Sequence, residues 1–434
     1  MKNTVNFFII CIFWISIYFL LSFVLSFVSI QSIHFLFGII ASLFIVSLIY
    51  KTKWYKKFIS TKSGVIGIVT ILVLFSFFMG YSRSICKRSH ELYIYLVSDN
   101  IRGRAGKSHV PDSIYGFKPL KNARAFDVFP IGDPIPTAYD MDGFRVPLKD
   151  SLKVNLKDSV DIIFLGCSFT FGDACYADST FAHLVAREMG FSYINAGVCS
   201  YGLSHMYLLS KELIAKYKPR YIVYQYSDWL LGRALSAYAP VYFGTLPIPY
   251  FVKKEKDFEL FMPVFQTQIF EIDAKEIKNN FKNKFFSFLI NKGLPFFIRE
   301  DINKLSVKMS VLTGKIEMPT NTFENQNELT KQIYAELISL AIENNSQPII
   351  LNLGNQKSFN DLDSSIVNSF KGALLADAVH DHNTYLVEHP NLDYLKAFVH
   401  WRINNKGDSV QVDGHPNNLS HKIIAKTIIK TIKK

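Results

Sequence analysis

The segment Asp161-Ile-Ile-Phe-Leu-Gly-Cys-Ser-Phe-Thr-Phe-Gly172 carries the strongest structural signal in the chain. Its run of four apolar residues is typical of a strand buried on both faces of a parallel sheet. The run breaks at Gly166, and Ser168 follows two residues later. Ligands of open parallel sheets bind outside the carboxyl ends of the strands, so this turn would present the serine hydroxyl at the usual site.

Apolar runs and amphipathic segments alternate along the rest of the chain. Their patterns predict strands at 161–166, 191–195, 221–226 and 348–353, and helices at 181–189, 203–217 and 326–343. Strands that alternate with helices indicate a parallel sheet covered on both faces. The expected fold class is therefore α/β, a three-layer αβα domain.

Three short segments in this order resemble the SGNH/GDSL hydrolase family: Gly166–Gly172, Asn195–Gly202 and Asp413-Gly-His-Pro416. The likeness extends from about residue 111 to the end. It includes Tyr139–Arg145, which resembles the segment before the nucleophile strand in membrane-linked members. The resemblance implies a flavodoxin-like order of strands and a catalytic serine.

The resemblance also implies catalytic roles. Ser168 would be the nucleophile, His415 the general base, and Asp413 the residue that orients the imidazole. Most members place the aspartate three residues before the histidine, whereas Asp413 is two before it, a spacing that recurs in the family. The alternative is an ordinary turn beside a surface histidine. Cys167, the other conceivable nucleophile, should point away from the site because neighbouring extended residues face opposite ways.

The oxyanion hole departs from the family pattern. Ser168 supplies its own backbone N–H, and Ser200 stands where a glycine is usual, so that Gly202 could supply the local flexibility instead. Ser227 stands at the expected asparagine. Because one lost oxyanion donor can cost about 10² to 10³ in rate, a weak or inactive enzyme remains an alternative. His205 follows the second segment closely and is a reserve candidate for the base.

The first 90 residues contain nine Lys or Arg and no Asp or Glu, and most of this region is apolar. The pattern predicts transmembrane helices at about 5–28, 31–50 and 64–82, and a cleaved signal peptide is the alternative for the first. Five lysines between the second and third spans favour a cytoplasmic loop there. The large domain would then be extracytoplasmic.

The expected organisation is a transmembrane region at 1–84, a linker and extension at 85–159, and an SGNH-like domain at 160–434. An aromatic and basic insertion interrupts the domain at about 228–320. The insertion could be a lid over an acyl or sugar pocket. The alternative is that its aromatic residues form its own core or face the membrane.

The remaining patterns limit cofactors and partners. The five cysteines have no zinc spacing, and buried thiols are favoured over a Cys175–Cys199 disulfide. His380-Asp-His382 reads as an exposed turn, so we expect no metal and no other cofactor. The formal net charge of +12 lies mainly in the first 90 residues, which does not favour nucleic acid. The expected partners are the lipid bilayer and an acylated glycan or small ester.

Together these patterns predict a membrane-bound serine esterase of the SGNH type that hydrolyses small O-acyl, such as acetyl, esters on a cell-envelope glycan. Two alternatives stay open. One is an O-acyltransferase that uses the same acyl-serine, and the other is a catalytically weak or inactive glycan-binding scaffold. The oligomeric state cannot be read from the sequence.

Overall fold

The structure is a computed structural model that describes residues 100–101, 104–105, 108–127, 132–149, 159–237, 239, 248–255, 257–263 and 319–434. The three expected membrane spans lie outside these residues, as does most of the expected insertion. Among the described residues, no helix combines the length and the hydrophobicity needed to cross a bilayer.

The elements are numbered in chain order over the described residues. The strands are β1 Asn100–Ile101, β2 Arg104–Ala105, β3 His109–Asp112, β4 Gly116–Pro119, β5 Arg124–Asp127, β6 Ile135–Tyr139, β7 Arg145–Val146, β8 Ile162–Leu165, β9 Tyr193–Asn195, β10 Tyr221–Tyr226, β11 Tyr250–Lys254, β12 Asp257–Phe261, β13 Gln347–Asn352, β14 Leu374–Asp377, β15 His400–Ile403 and β16 Ser409–Asp413. The α-helices are α1 Ser168–Phe171, α2 Phe181–Met189, α3 Leu203–Tyr217, α4 Asp228–Ala234, α5 Phe323–Glu343, α6 Ser364–Asn368, α7 Ala378–Glu388, α8 Tyr394–Phe398 and α9 Asn418–Lys433.

A five-stranded sheet forms the centre of the fold. Its order is β14-β13-β10-β8-β9, and all four pairings are parallel. The chain starts at β8, moves to one edge at β9, and returns past β8 to β10, which is the flavodoxin-like order. The predicted α/β class with a parallel sheet is thus confirmed. The order reverses between β8 and β10, and a ligand site is expected at that point.

The strands are apolar throughout because both faces of the sheet are covered. In β8, Ile163 and Leu165 pack into one cluster with α3 and α5. Ile162 and Phe164 point to the other face and pack with α2 and α9. All four side chains have no exposed surface. Burial on both faces explains the continuous apolar run in the sequence.

Several predicted elements agree with the structure at both ends, namely α2, α3 and β10. The helix predicted to begin at 326 begins at Phe323 instead, because the Thr322 side chain caps it by accepting from the N–H of Asn325. The sequence analysis did not assign β14 or α7.

The expected extension before residue 160 contains antiparallel structure. Strands β1, β2, β5, β6 and β7 form one sheet, and β3 and β4 form a hairpin. Within the expected insertion, β11 and β12 form another hairpin. This hairpin contacts the main fold through Ser204, whose hydroxyl donates to the carbonyl of Pro249, and through an ion pair between Lys253 and Glu328.

Candidate active site

Ser168 lies three residues after the last residue of β8 and is the first residue of the short helix α1. The turn is tight at Gly166, where a Cβ atom would lie 2.1 Å from Oγ1 of Thr170 and 2.4 Å from Oε1 of Gln225. No larger residue fits there without moving these groups. A glycine is therefore needed before the serine because the two polar side chains approach the backbone.

Gln225 joins this turn to the neighbouring strand β10, and the sequence analysis missed it. Its buried side-chain oxygen accepts hydrogen bonds from the N–H of Cys167 (3.1 Å) and the hydroxyl of Thr170 (2.7 Å). Its amide nitrogen donates to Oγ of Ser227 at 2.9 Å. From the sequence, this part of the chain was considered only for Ser227 at the expected asparagine, two residues after the glutamine.

Asp413 and His415 come from the far end of the chain. Asp413 ends β16, and one of its oxygens, Oδ1, accepts from both the backbone N–H (2.7 Å) and Nδ1 (2.6 Å) of His415. The other ring nitrogen, Nε2, lies 2.9 Å from Oγ of Ser168. A hydrogen-bonded chain therefore runs from Asp413 through His415 to Ser168, which are the three residues that the sequence analysis selected for catalysis.

The surroundings of His415 favour its protonated form. Burial alone would lower the pKa of His415, but the hydrogen bond to Asp413 and the charges of Asp173 and Asp413 outweigh burial and raise the pKa to about 9. For Asp413, burial would raise the pKa, but the hydrogen bonds from His415 outweigh it and hold the pKa below its ordinary value. Asp413 is therefore an anion at neutral pH, and His415 becomes a free base only in alkaline solution.

The backbone N–H groups of Ser168 and Ser200 are the remaining candidates for an oxyanion hole. The first belongs to the opening residue of α1, where helix N–H groups have no partner within the helix. Ser200 has φ of +70°, a conformation that glycine adopts freely. A serine at the usual glycine position therefore keeps a glycine-like backbone.

The structure contradicts two other assignments to the oxyanion hole. The N–H of Gly202 donates to Nδ1 of His205 at 3.1 Å, and Gly202 packs against α4, where a Cβ would lie 2.8 Å from Cβ of Arg233. Its role is close packing. The hydroxyl of Ser227 is fully buried and donates to the carbonyl of Leu353, so it does not point to the site as a donor.

His205 is also not available as a base. Its second ring nitrogen lies 3.1 Å from the carbonyl oxygen of Tyr115, and complete burial lowers the pKa of His205 to about 3. It is a structural residue at the start of α3. The prediction of an exposed turn at 380–382 is wrong. This segment lies in helix α7, and His382 is buried with Nε2 2.9 Å from Oγ of Ser420.

Three cysteines around the site, Cys167, Cys175 and Cys199, are free and buried. The preference for thiols over a disulfide is confirmed. Sγ of Cys167 receives a hydrogen bond from Nε1 of Trp229 at 3.4 Å, on the side of β10. Burial raises the pKa of Cys175 to about 12, which makes it an unreactive thiol.

The loop after α1 is held by Arg145, whose side chain is buried. Its guanidinium donates to the carbonyls of Phe171 and Gly172 at 2.7 and 2.5 Å, and to that of Cys175 at 2.5 Å. It also lies 4.2 Å from the ring centre of Phe171. The segment 139–145, noted in the sequence for its resemblance, thus has a structural role, because its arginine, Arg145, fixes the loop that follows Ser168.

No protein-family model matches the chain, and no curated protein does. Solved structures do match it. They include TesA, with 10% sequence identity, a TM-score of 0.29, and coverage of 63% of this chain and 98% of TesA. A protein from Slackia heliotrinireducens proposed to be an SGNH hydrolase matches with 12% identity, a TM-score of 0.27, and coverage of 63% of this chain and 99% of that protein. A proposed lipolytic protein of the G-D-S-L family from Desulfitobacterium hafniense matches at 11% identity, 62% and 98% coverage and TM-score 0.22. Each TM-score is below 0.5.

Proposed function

We propose that the chain is a serine esterase of the SGNH type, with Ser168 as nucleophile, His415 as general base and acid, and Asp413 as the residue that orients the imidazole. The observation that supports this proposal is the continuous hydrogen-bonded chain Asp413–His415–Ser168, at 2.6 and 2.9 Å. The proposed nucleophile, Ser168, follows β8, one of the two strands between which the strand order reverses. In this kind of fold, that point is the preferred ligand site.

The proposed reaction has two steps. In the first, Oγ of Ser168 bonds to the acyl carbon of an ester while its proton moves to Nε2 of His415. The carbon–oxygen bond of the ester then breaks, and the leaving alcohol takes the proton from Nε2. In the second step water repeats the sequence, releasing the acid and restoring the serine. The N–H groups of Ser168 and Ser200 would stabilise the oxyanion in both steps.

The proposed substrates are small O-acyl esters, such as acetyl esters, on a cell-envelope glycan. This choice rests on the expected N-terminal spans and the lysine-rich loop between them, which would make the chain a multi-pass protein of the cytoplasmic membrane with its catalytic domain outside the cytoplasm. Thiol-reactive probes that do not cross membranes test this topology. We expect Cys86 to react in intact cells and a cysteine introduced between residues 51 and 62 not to react.

The catalytic proposal is tested by hydrolysis of 4-nitrophenyl acetate by the full-length chain. We expect Ser168→Ala and His415→Ala each to lower the rate by about 10⁴ or more, because the residues act as a unit. The matched controls are Ser179→Ala and His380→Ala, which change the same residue types away from the hydrogen-bonded chain. Equal hydrolysis by folded wild-type protein and by Ser168→Ala would refute the proposal.

The same assay distinguishes the two alternatives. An acyltransferase would move acetate to an added sugar alcohol faster than to water, so the ratio of ester to free acetate decides between transfer and hydrolysis. A glycan-binding scaffold would bind O-acetylated glycan without releasing acetate. The missing asparagine at position 227 and the short Asp413–His415 spacing motivated that second alternative. The carboxylate of Asp413 reaches Nδ1 at 2.6 Å, whereas the hydroxyl of Ser227 donates to the carbonyl of Leu353.

A further inference from the structure

His415 has a second carboxylate beside it, on the side away from Asp413. Oδ2 of Asp173 lies 3.7 Å from Nε2, the same ring nitrogen that contacts Oγ of Ser168. Only 16% of the Asp173 side chain is exposed, so water screens this charge incompletely. Both nitrogens of the imidazole thus face an acidic side chain.

The position of Asp173 is fixed by several contacts. Its backbone N–H donates to the carbonyl of Ser168 at 3.1 Å, immediately after the left-handed turn at Gly172. The thiol of Cys199 donates to the carboxylate, with Sγ 3.1 Å from both oxygens. Arg145 holds the flanking carbonyls of Gly172 and Cys175. The carboxylate is therefore part of the built site.

Other ionisable groups surround the ring. His400 on β15 is partly buried and His421 on α9 is fully buried. Burial is the first cause that lowers the pKa of each, so both are neutral at pH 7 and above. Among the residues that the structure describes, the site also contains the buried thiols Cys167, Cys175 and Cys199 and the cation Arg145, which donates to the carbonyl of Phe171. Asp173 and Asp413 are the two carboxylates that raise the pKa of His415.

We propose that Asp173 is a positioning residue that holds the protonated form of His415 and thereby sets the pH at which Ser168 becomes a nucleophile. The proposal rests on the proposed function. When His415 carries both protons, its Nε2–H faces the hydroxyl of Ser168 and the carboxylate of Asp173. The anion favours retention of that proton, and only the ring that has lost it can activate the serine.

The contact between Asp173 and His415 affects both the fraction of His415 that is free base and the stability of the imidazolium, with opposite consequences for the rate. It lowers the fraction of free base at neutral pH, but it stabilises the imidazolium that forms when the serine attacks. Neutralising Asp173 should therefore raise the rate at neutral pH relative to the rate on the alkaline plateau. A purely structural role would lower the rate by the same factor at every pH.

The test uses the full-length chain with Asp173→Asn. The control is Asp178→Asn, which removes an exposed carboxylate from the same segment, and Asp173→Glu should restore the charge. Two readouts are followed from about pH 6 to about pH 10: the NMR signal of the His415 ring, assigned by its loss in His415→Ala, and the rate of fluorophosphonate attachment to Ser168. In Asp173→Asn we expect the ring of His415 to titrate at lower pH. We also expect the ratio of the rate near pH 7 to the plateau rate to rise about sixfold or more. This factor is what Coulomb's law gives for two unit charges at this distance with water-like screening.

An unchanged titration of the ring in Asp173→Asn would overturn the proposal. If this variant does not fold, Asp173→Ser is measured in the same way with the same two outcomes. The NMR readout needs no catalysis. A shifted ring titration without any serine reaction would therefore refute the esterase proposal alone, whereas a serine reaction with no shift would refute the role of Asp173 alone.

Discussion

Asp413 reaches the imidazole although it stands only two residues before His415. A single carboxylate oxygen accepts both the backbone N–H and the ring N–H of that histidine. Because the same oxygen caps the turn and orients the ring, the short spacing is compatible with a catalytic geometry.

We expect Asp413→Asn to slow the reaction of Ser168 with a fluorophosphonate by about 10³ to 10⁴. An amide can fill the space, but it does not stabilise an imidazolium and it favours the wrong ring tautomer. Asp408→Asn, an exposed change in the same hairpin, is the control and should leave the rate unchanged. A loss of less than about threefold in Asp413→Asn would remove Asp413 from the catalytic unit.

The reaction of Ser168 should depend steeply on pH. His415 must be neutral to accept the proton of the serine, and its raised pKa of about 9 means that the neutral fraction grows as pH rises through that value. Below about pH 8 we expect the rate to fall about tenfold for each unit of pH. A stopped-flow rate profile of the full-length chain measures this, and a plateau already reached at pH 7 would contradict it.

Ser200 has a left-handed backbone conformation, which is unfavourable for a residue with a Cβ atom. A side chain in this conformation costs about 1 to 2 kcal/mol, and glycine avoids that cost. We expect Ser200→Gly to raise the free energy of unfolding by about 1 kcal/mol and to retain serine reactivity, since the donor is a backbone N–H. Ser200→Ala keeps the Cβ atom and should match wild type in urea unfolding. Destabilisation by the glycine would contradict this account.

At the level of elements, the turn after β8 depends on β10. Gln225 supplies the acceptor for the Cys167 N–H and the Thr170 hydroxyl, and both donors are buried. This contact keeps the serine at the carboxyl end of its strand. The structural requirement explains why a polar residue occupies a strand that is otherwise buried and apolar.

We expect Gln225→Met to lower the free energy of unfolding by about 2 to 4 kcal/mol, because two buried donors lose their acceptor. The rate of fluorophosphonate attachment should also fall, since the turn that presents Ser168 is no longer held. Urea unfolding and the labelling rate are measured together. The control Gln411→Met lies on an exposed strand position and should change neither quantity, and an equal effect of both variants would refute the role assigned to Gln225.

The elements of the core were largely predictable from the sequence. A segment such as 162–165 is apolar without interruption because both faces are covered, and α3 follows a helical pattern over its whole length. These are local signals. The strand β14 was not predicted, because its residues Leu374–Asp377 are mostly only partly buried and end in a polar residue.

The site was predictable only where a short segment carries the chemistry. Ser168, Asp413 and His415 stand in recognisable segments, and the structure brings them together across 247 residues. Gly202 and Ser227 were misassigned because their donors are used inside the protein, by His205 and Leu353. Asp173 was not predicted as a site residue, because its proposed role depends on the distance between its carboxylate and the ring of His415, which sequence spacing does not show.

Over the whole molecule, we infer that the two ends of the domain meet to activate one serine. The most direct measurement is mass-spectrometric mapping of fluorophosphonate attachment to the full-length chain at about pH 9, in wild type and in His415→Ala. We expect one modified residue, Ser168, in wild type and loss of that modification in the variant. Modification at another residue, or equal modification of Ser168 without His415, would contradict it.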